Sequence, residues 1–209
     1  VALGVSIEGM RVVQSGNNVS VMGMTKARTT YKATVSSSIA DEFKQALGKD
    51  DTRTFNVGDA YPMFNGPSGL VVLVPAASMP TLVYFTTNYE SLKVTLYKVQ
   101  PSDIAAYGRA MRNMWNKASP PHLPGTKVFD AQVPIAPKPN ELVETQVDLM
   151  PALSKSGLGH AIAIVEPHPW KEKYEPPRMY VWVQATKLAV DAHVDNEQMV
   201  AFATDLATG

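Results

Sequence analysis

The chain has 209 residues, equal numbers of basic and acidic side chains (19 each) and no cysteine. The length can bury a core without covalent staples, and the charge balance argues against nucleic acid or an anionic membrane as partner. The missing cysteine excludes disulfides, thiolate catalysis, cysteine–zinc sites and a thioester within these residues.

In chain order, "VALGVSIEG" and "MRVVQSGNNVSVMGM" alternate apolar and polar residues around a turn at Ser15–Asn18, where Gly and Asn suit positive φ. In "TTYKATVS", Tyr31, Ala33 and Val35 share one face, and Thr30, Lys32 and Thr34 the other. "IADEFKQALGKDDTRTFNVG" predicts a small loop or a single helical turn, then a strand at "TFNV", with Lys49–Asp51 as turn chemistry. Gly58–Gly69 is rich in Gly and Pro, and residues 59–69 are assigned as a linker between domains. "LVVLVP", Leu70–Pro75, is continuously apolar. It is a strand covered on both faces or one entering an interface.

Further along, Leu92, Val94, Leu96 and Lys98 fall on one face of a half-buried strand, with Lys93, Thr95, Tyr97 and Val99 on the other. A helix is predicted at 101–118. Ser102 or Asp103 would cap it, Ile104, Tyr107, Met111, Met114 and Trp115 would form its apolar side, and Arg109, Arg112 and Asn116 the opposite side. Prolines at 120, 121, 124, 134, 137 and 139 then predict an extended excursion of polyproline character over 119–142, with no central strand. It is either an ornamental loop or a protease-accessible segment, with Lys117, Lys127 and Phe129 as the potential cleavage points. Strands resume at "VETQVDLMPAL", at "GLGHAIAIVEP", where Ala161, Ala163 and Val165 alternate with His160, Ile162 and Ile164, and at "MYVWVQATKL". The last segment is a hairpin with its turn at Asp195–Gln198. The chain starts at Val1 rather than Met and stops at "DLATG", so both ends are expected to be boundaries within a longer polypeptide.

Candidate chemistry is sparse. His122, His160, His168 and His193 show no metal-ligand spacing, and surface or packing roles are expected for them. "GPSG" at Gly66–Gly69 is not a nucleophile elbow, and "SGLG" at Ser156–Gly159 lacks the Lys-Ser/Thr of a phosphate loop. Glu141, Glu144 and Asp148 suggest a solvated strand face, and "NVS" at Asn18–Ser20 matches the glycosylation pattern within a turn. No catalytic, cofactor-binding or metal-binding residue is assigned. Among the aromatics, Trp115 and Trp182 are expected in the core. Trp170, after Pro169 and among charges near Tyr174 and Tyr180, is the candidate exposed interaction residue.

"PTLVYFTTNYESLKVTLYKVQPSD", "VDLMPALSKSGLGHAIAIVEP" and "YVWVQATKLAVDAHVDNEQMVAFATDLATG" resemble a macroglobulin-type domain of bacterial alpha-2-macroglobulins. Trp182, Val183, Gln184 and Thr186 match a closing strand of that pattern, and Ala203 to Gly209 match the opening of the next domain. "TTYKATVSSSIADEFKQALGKDDTRTFNVG" resembles the closing half of a bacterial Ig-like domain, with Lys44 where glycine is usual. The resemblance implies an all-β fold of consecutive antiparallel β-sandwiches, Ig-like and macroglobulin-type, with one inserted helix.

Its expected parts are an Ig-like portion at 1–58, the linker at 59–69, a macroglobulin-type sandwich at 70–185 and, at 186–209, the opening hairpin of a further domain. It also implies a scaffold segment of a protease-trapping inhibitor, exported to the periplasm or cell envelope and with a parent that is lipid-anchored in some members. Its partners would be neighbouring domains and, through the parent, target proteases. The rival reading is an envelope adhesion or carbohydrate-binding sandwich, which would need Trp170 to line a groove.

Overall fold

The computed structural model describes residues 7–16, 18–74, 79–114, 122–206 and 208. The chain divides into two compact units, Val1–Tyr61 and Pro62–Gly209.

The first unit holds two hairpins. Strand β1 (Glu8–Ser15) pairs antiparallel with β2 (Asn18–Met24), and β3 (Thr30–Val35) pairs with β4 (Asp51–Asn56). The expected alternation at Tyr31, Ala33 and Val35 holds, since these half-buried side chains line one surface while Thr30 and Lys32 are exposed. Residues 36–50 contain turns and a single bridge between Ala40 and Ala46, which settles the loop-or-helix alternative in favour of a loop. Asp41 organises it, its Oδ1 accepting the Phe43 and Gln45 amides at 2.9 Å each. Lys44 sits at φ 66°, the left-handed region that suits glycine.

The second unit is a sandwich of two sheets. The three-stranded sheet runs β10 (Val143–Asp148), β7 (Thr81–Thr87), β5 (Met63–Asn65). The five-stranded sheet runs β6 (Gly69–Leu73), β12 (Met179–Ala185), β11 (Gly159–His168), β8 (Ser91–Val99), β9 (Thr126–Pro134). All pairs are antiparallel except β6 with β12. A separate hairpin, β13 (Leu188–Val194) and β14 (Met199–Asp205), turns at Asp195, whose carboxylate accepts the Glu197 and Gln198 amides.

Period-two patterning places the core. Leu82 and Tyr84 from β7, Val143 and Val147 from β10, Leu92, Val94 and Leu96 from β8, and Ala161, Ala163 and Val165 from β11 meet between the sheets. Each fully buried aliphatic side chain stabilises the fold by about 1.5–3 kcal/mol. The odd-numbered face of β8 is only partly the solvent face of a half-buried strand: Lys93 is exposed and Thr95 and Tyr97 are half-buried, but Val99 is buried in a second cluster, and Lys98, expected on the inner face, is exposed.

That second cluster lies under the helix α1 (Ile104–Arg112). The helix is shorter than the predicted 101–118. A 3-10 turn at Pro101–Asp103 precedes it, with the Asp103 carboxylate accepting the Gln100 amide at 2.8 Å, and regular helix ends at Arg112. Tyr107 and Ala110 are buried, with Met111 packed beside them. Ile104, expected on the apolar side, is exposed, because the buried stripe runs through 107, 110 and 111 instead. Arg109 and Arg112 in the last turn complement the helix dipole. Trp115 and Lys117, placed by the sequence in this region, lie outside the described residues.

Three further expectations are corrected. The excursion at 119–142 contains strand β9. Its prolines flank the run 126–133, and Pro134 ends it opposite Ser91 on an edge strand, a position where proline is tolerated. The linker at 59–69 contains β5, which pairs Met63–Asn65 with Thr87–Phe85. Gly66 then lets the chain cross between the sheets against Tyr84, whose ring a Cβ at 66 would strike. Finally, β6 is not covered on both faces: it is an edge strand with Val71 and Leu73 facing the core and Leu70 and Val72 exposed.

Candidate functional site

Trp170 lies at one end of the second unit's sandwich, where three loops converge. The β7–β8 turn is held by Asn88 and Asn140, both at positive φ (58° and 66°), which asparagine tolerates. The Asn140 amide donates to Asn88 Oδ1 at 2.7 Å, and Asn88 Nδ2 donates to Asn140 Oδ1 at 3.1 Å. The Glu90 amide donates to the His168 carbonyl, and the Ile135 amide to the Glu90 carbonyl, both at 3.0 Å. These bonds fix the β9–β10 and β11–β12 connections to the turn.

Trp170 is half-buried rather than fully exposed. Its indole N–H donates to the Tyr174 carbonyl at 2.6 Å. Its ring lies nearly parallel to Tyr89, with centroids 6.5 Å apart, and edge-on to Tyr174 at 5.3 Å. Burial, with smaller contributions from Tyr174 and Glu172, holds the Tyr89 hydroxyl above its ordinary pKa. Arg178 closes the loop onto the sheet, its Nε 2.9 Å from Glu166 Oε1. The indole's donor and part of its surface are therefore occupied within the protein, and Tyr174 is the exposed ring of the group.

The histidines are not brought together. His160 packs against Trp182 under the helix, His168 is exposed at the other end of the same strand, His193 meets Phe202 on the terminal hairpin, and His122 is exposed. No cluster of three potential metal ligands occurs among the described residues. Glu144 and Asp148 point to solvent from β10, with Asp148 Oδ1 accepting the Met150 amide at 2.8 Å.

The first unit also contains a cleft of about 500 Å³ that no sequence motif marks. Val19 and Val21 of β2, Tyr31 and Val35 of β3, and Phe55 of β4 line it. Its only signal in the sequence is the apolar alternation of those strands, which sheet burial produces equally. Among the described residues Arg53 is the one charged side chain in its lining, and its Nε is 3.2 Å from Asp51 Oδ2.

No protein-family profile and no curated sequence matches the chain. Solved structures do. A crystal structure of native alpha-2-macroglobulin from Escherichia coli, spanning domains MG0, NIE and MG1, superposes with a TM-score of 0.55 at 16% identity, over 95% of this chain and 63% of that one. A Salmonella alpha-2-macroglobulin mutant, Y1175G, gives 0.62 at 15% identity, over 96% of this chain and 12% of that one. The Salmonella protein reacted with methylamine gives 0.60 at 14%, over 97% and 11%.

The fold is that of bacterial alpha-2-macroglobulins. The chain spans less than two thirds of the E. coli structure and about a ninth of the methylamine-reacted Salmonella alpha-2-macroglobulin. The likeness to alpha-2-macroglobulin takes in nearly the whole chain, both units included.

Proposed function

We propose that this chain is a scaffold segment of a bacterial alpha-2-macroglobulin-like protease-trapping inhibitor, with the trapping chemistry located in other parts of the polypeptide. The observation that supports this reading is that one kind of protein matches 95% of the chain, across two dissimilar units. A single β-sandwich is shared by many unrelated functions, whereas a succession of two units is a narrower signature.

In this reading the polypeptide is exported to the cell envelope, and the second unit is a rigid frame whose buried core holds its loops in place. The Trp170 loop is a contact point for a neighbouring domain. Tyr89 and Trp170 fix the loop, and the exposed Tyr174 ring offers the contact. No bond is made or broken by these residues.

The test uses the full-length polypeptide that carries this segment. It is incubated with a broad-specificity protease and run on denaturing gels, with and without methylamine pretreatment. A high-mass adduct that methylamine abolishes supports a covalent trap with these residues as frame. Absence of any adduct, together with undiminished protease activity toward large substrates, overturns the proposal.

A further inference from the structure

Asn65 and Gly66 form the single Asn-Gly pair in the 209 residues. They stand where the chain leaves one sheet for the other. Strand β5 ends at Asn65, β6 begins at Gly69, and the ladder between β5 and β7 stops at the pair Asn65 and Phe85. Asn65 is exposed, and its carboxamide lies back over its own peptide link, with Oδ1 accepting a hydrogen bond from the Gly66 amide at 2.8 Å.

This arrangement sets an amide nitrogen beside a carboxamide that it can attack. Gly66 brings no side chain to hinder the approach. It lies one residue beyond the ladder, and its N–H bonds to the very group that would react. Holding two reacting groups together in this way converts a slow encounter into an intramolecular step. Asn56, also exposed, is the contrast within the same chain. Val57 follows it, the Val57 amide donates to the Thr29 carbonyl at 2.9 Å, and the Asn56 Oδ1 accepts the Thr30 hydroxyl at 2.8 Å.

We propose that Asn65 is a self-modification site, at which the chain converts its own asparagine to aspartate and iso-aspartate. The Gly66 nitrogen gives its proton to water or hydroxide and attacks Asn65 Cγ. A C–N bond forms, a cyclic imide closes, and the carboxamide nitrogen takes up a proton and leaves as ammonia. Water then opens the imide. Opening at the side-chain carbonyl leaves aspartate, and opening at the main-chain carbonyl leaves iso-aspartate, with the backbone routed through the side chain. From Ala60 to Tyr89 the sequence has no charged residue and no histidine, so either product introduces the first charge of this stretch. Iso-aspartate also lengthens the main chain where there is little room for it. Gly66 passes so close to Tyr84 that a Cβ would strike the ring, and that ring is buried and stacked on Phe64 at 5.8 Å. Strand β5 has three residues and pairs with β7 alone, so the lengthened link releases it.

The test incubates the full-length polypeptide that carries this segment at mildly alkaline pH, both native and unfolded in guanidinium. Digests are read for the mass gain of amide-to-acid exchange at positions 65 and 56, and iso-aspartate is counted with a protein isoaspartyl methyltransferase. In the native protein Asn65 should convert at least about tenfold faster than Asn56, and within about tenfold of its own rate in the unfolded chain. Amide exchange at Met63–Asn65 should be faster in the converted protein. Asn65→Ser should lose the iso-aspartate signal from this peptide, and the native-against-unfolded comparison needs no variant, so it decides the matter even where Asn65→Ser misfolds. The reading does not depend on whether the polypeptide traps proteases. Conversion of Asn65 in guanidinium with none in the native protein, conversion of Asn56 as fast as Asn65, or unchanged exchange at 63–65 after conversion overturns the proposal.

Discussion

Tyr107 on α1 packs its ring against Trp182 of β12, with centroids 5.4 Å apart and the planes tilted by 49°. This contact fastens the inserted helix to the five-stranded sheet, since Trp182 is 1% exposed and lies at the centre of the second cluster. Trp182→Ala should cost about 3–5 kcal/mol. A double-mutant cycle with Tyr107→Ala should show a coupling of about 0.5–1.5 kcal/mol, read from urea unfolding monitored by fluorescence and by circular dichroism. Additive losses would place the helix's anchorage elsewhere.

His160 gives the second unit a pH dependence of known sign. Its ring lies 5.8 Å from Trp182, its Nδ1 is buried without a partner among the described residues, and burial holds its pKa below the ordinary 6.5. A histidine with a lowered folded pKa binds its proton more readily in the unfolded chain. The stability from neutral His160 is therefore complete above about pH 6.5 and is lost as the pH falls from there through the folded pKa. His160→Gln should flatten that part of the stability profile, measured by urea midpoints between neutral and mildly acidic pH. An unchanged slope would show that other groups set the acid sensitivity.

Lys44 occupies a left-handed backbone position, φ 66°, in the loop where the resemblance to an Ig-like domain expects glycine. A side chain there costs about 1–2 kcal/mol, partly offset by the greater unfolded-state freedom of glycine. Lys44→Gly should raise the first unit's stability by about 0.5–1 kcal/mol, and Lys44→Ala should not. Slower limited proteolysis within residues 36–50 is the readout.

Much of the architecture was legible because its causes are local. Alternation marks β8, β10, β11 and β12, and the Asp195 turn marks the terminal hairpin. The misses have physical reasons of another kind. Prolines at 120–124 and 137–139 obscured β9, because proline density was averaged over a run whose interior contains β-formers. An edge strand has few ladder bonds for a proline to break. The helix was overextended because apolar spacing alone does not show where a helix stops. Of the two readings open for β6, cover on both faces fails, because an apolar outward face is what burial on both sides and an exposed edge produce alike. Trp170 was found from its neighbours in sequence. Its partners Tyr89 and Tyr174 approach it from separate loop positions that only the fold brings together.

Trp170→Ala removes both ring contacts and the bond to the Tyr174 carbonyl. We expect a loss of about 1–3 kcal/mol in the second unit, with faster amide exchange at Glu90. In glycan-affinity gels both the parent chain and the variant should migrate unretarded. Retardation of the parent chain that Trp170→Ala abolishes would instead make this end of the sandwich a carbohydrate-binding surface.

A segment that frames a protease trap should leave a protease untouched when it stands alone. The most direct measurement is the activity of a broad-specificity protease toward a large protein substrate. It is made in the presence of the full-length polypeptide and, separately, of residues 1–209 alone. Inhibition by the full-length polypeptide and none by the 209-residue chain is expected. Inhibition by residues 1–209 alone, or none by the full-length polypeptide, would contradict it.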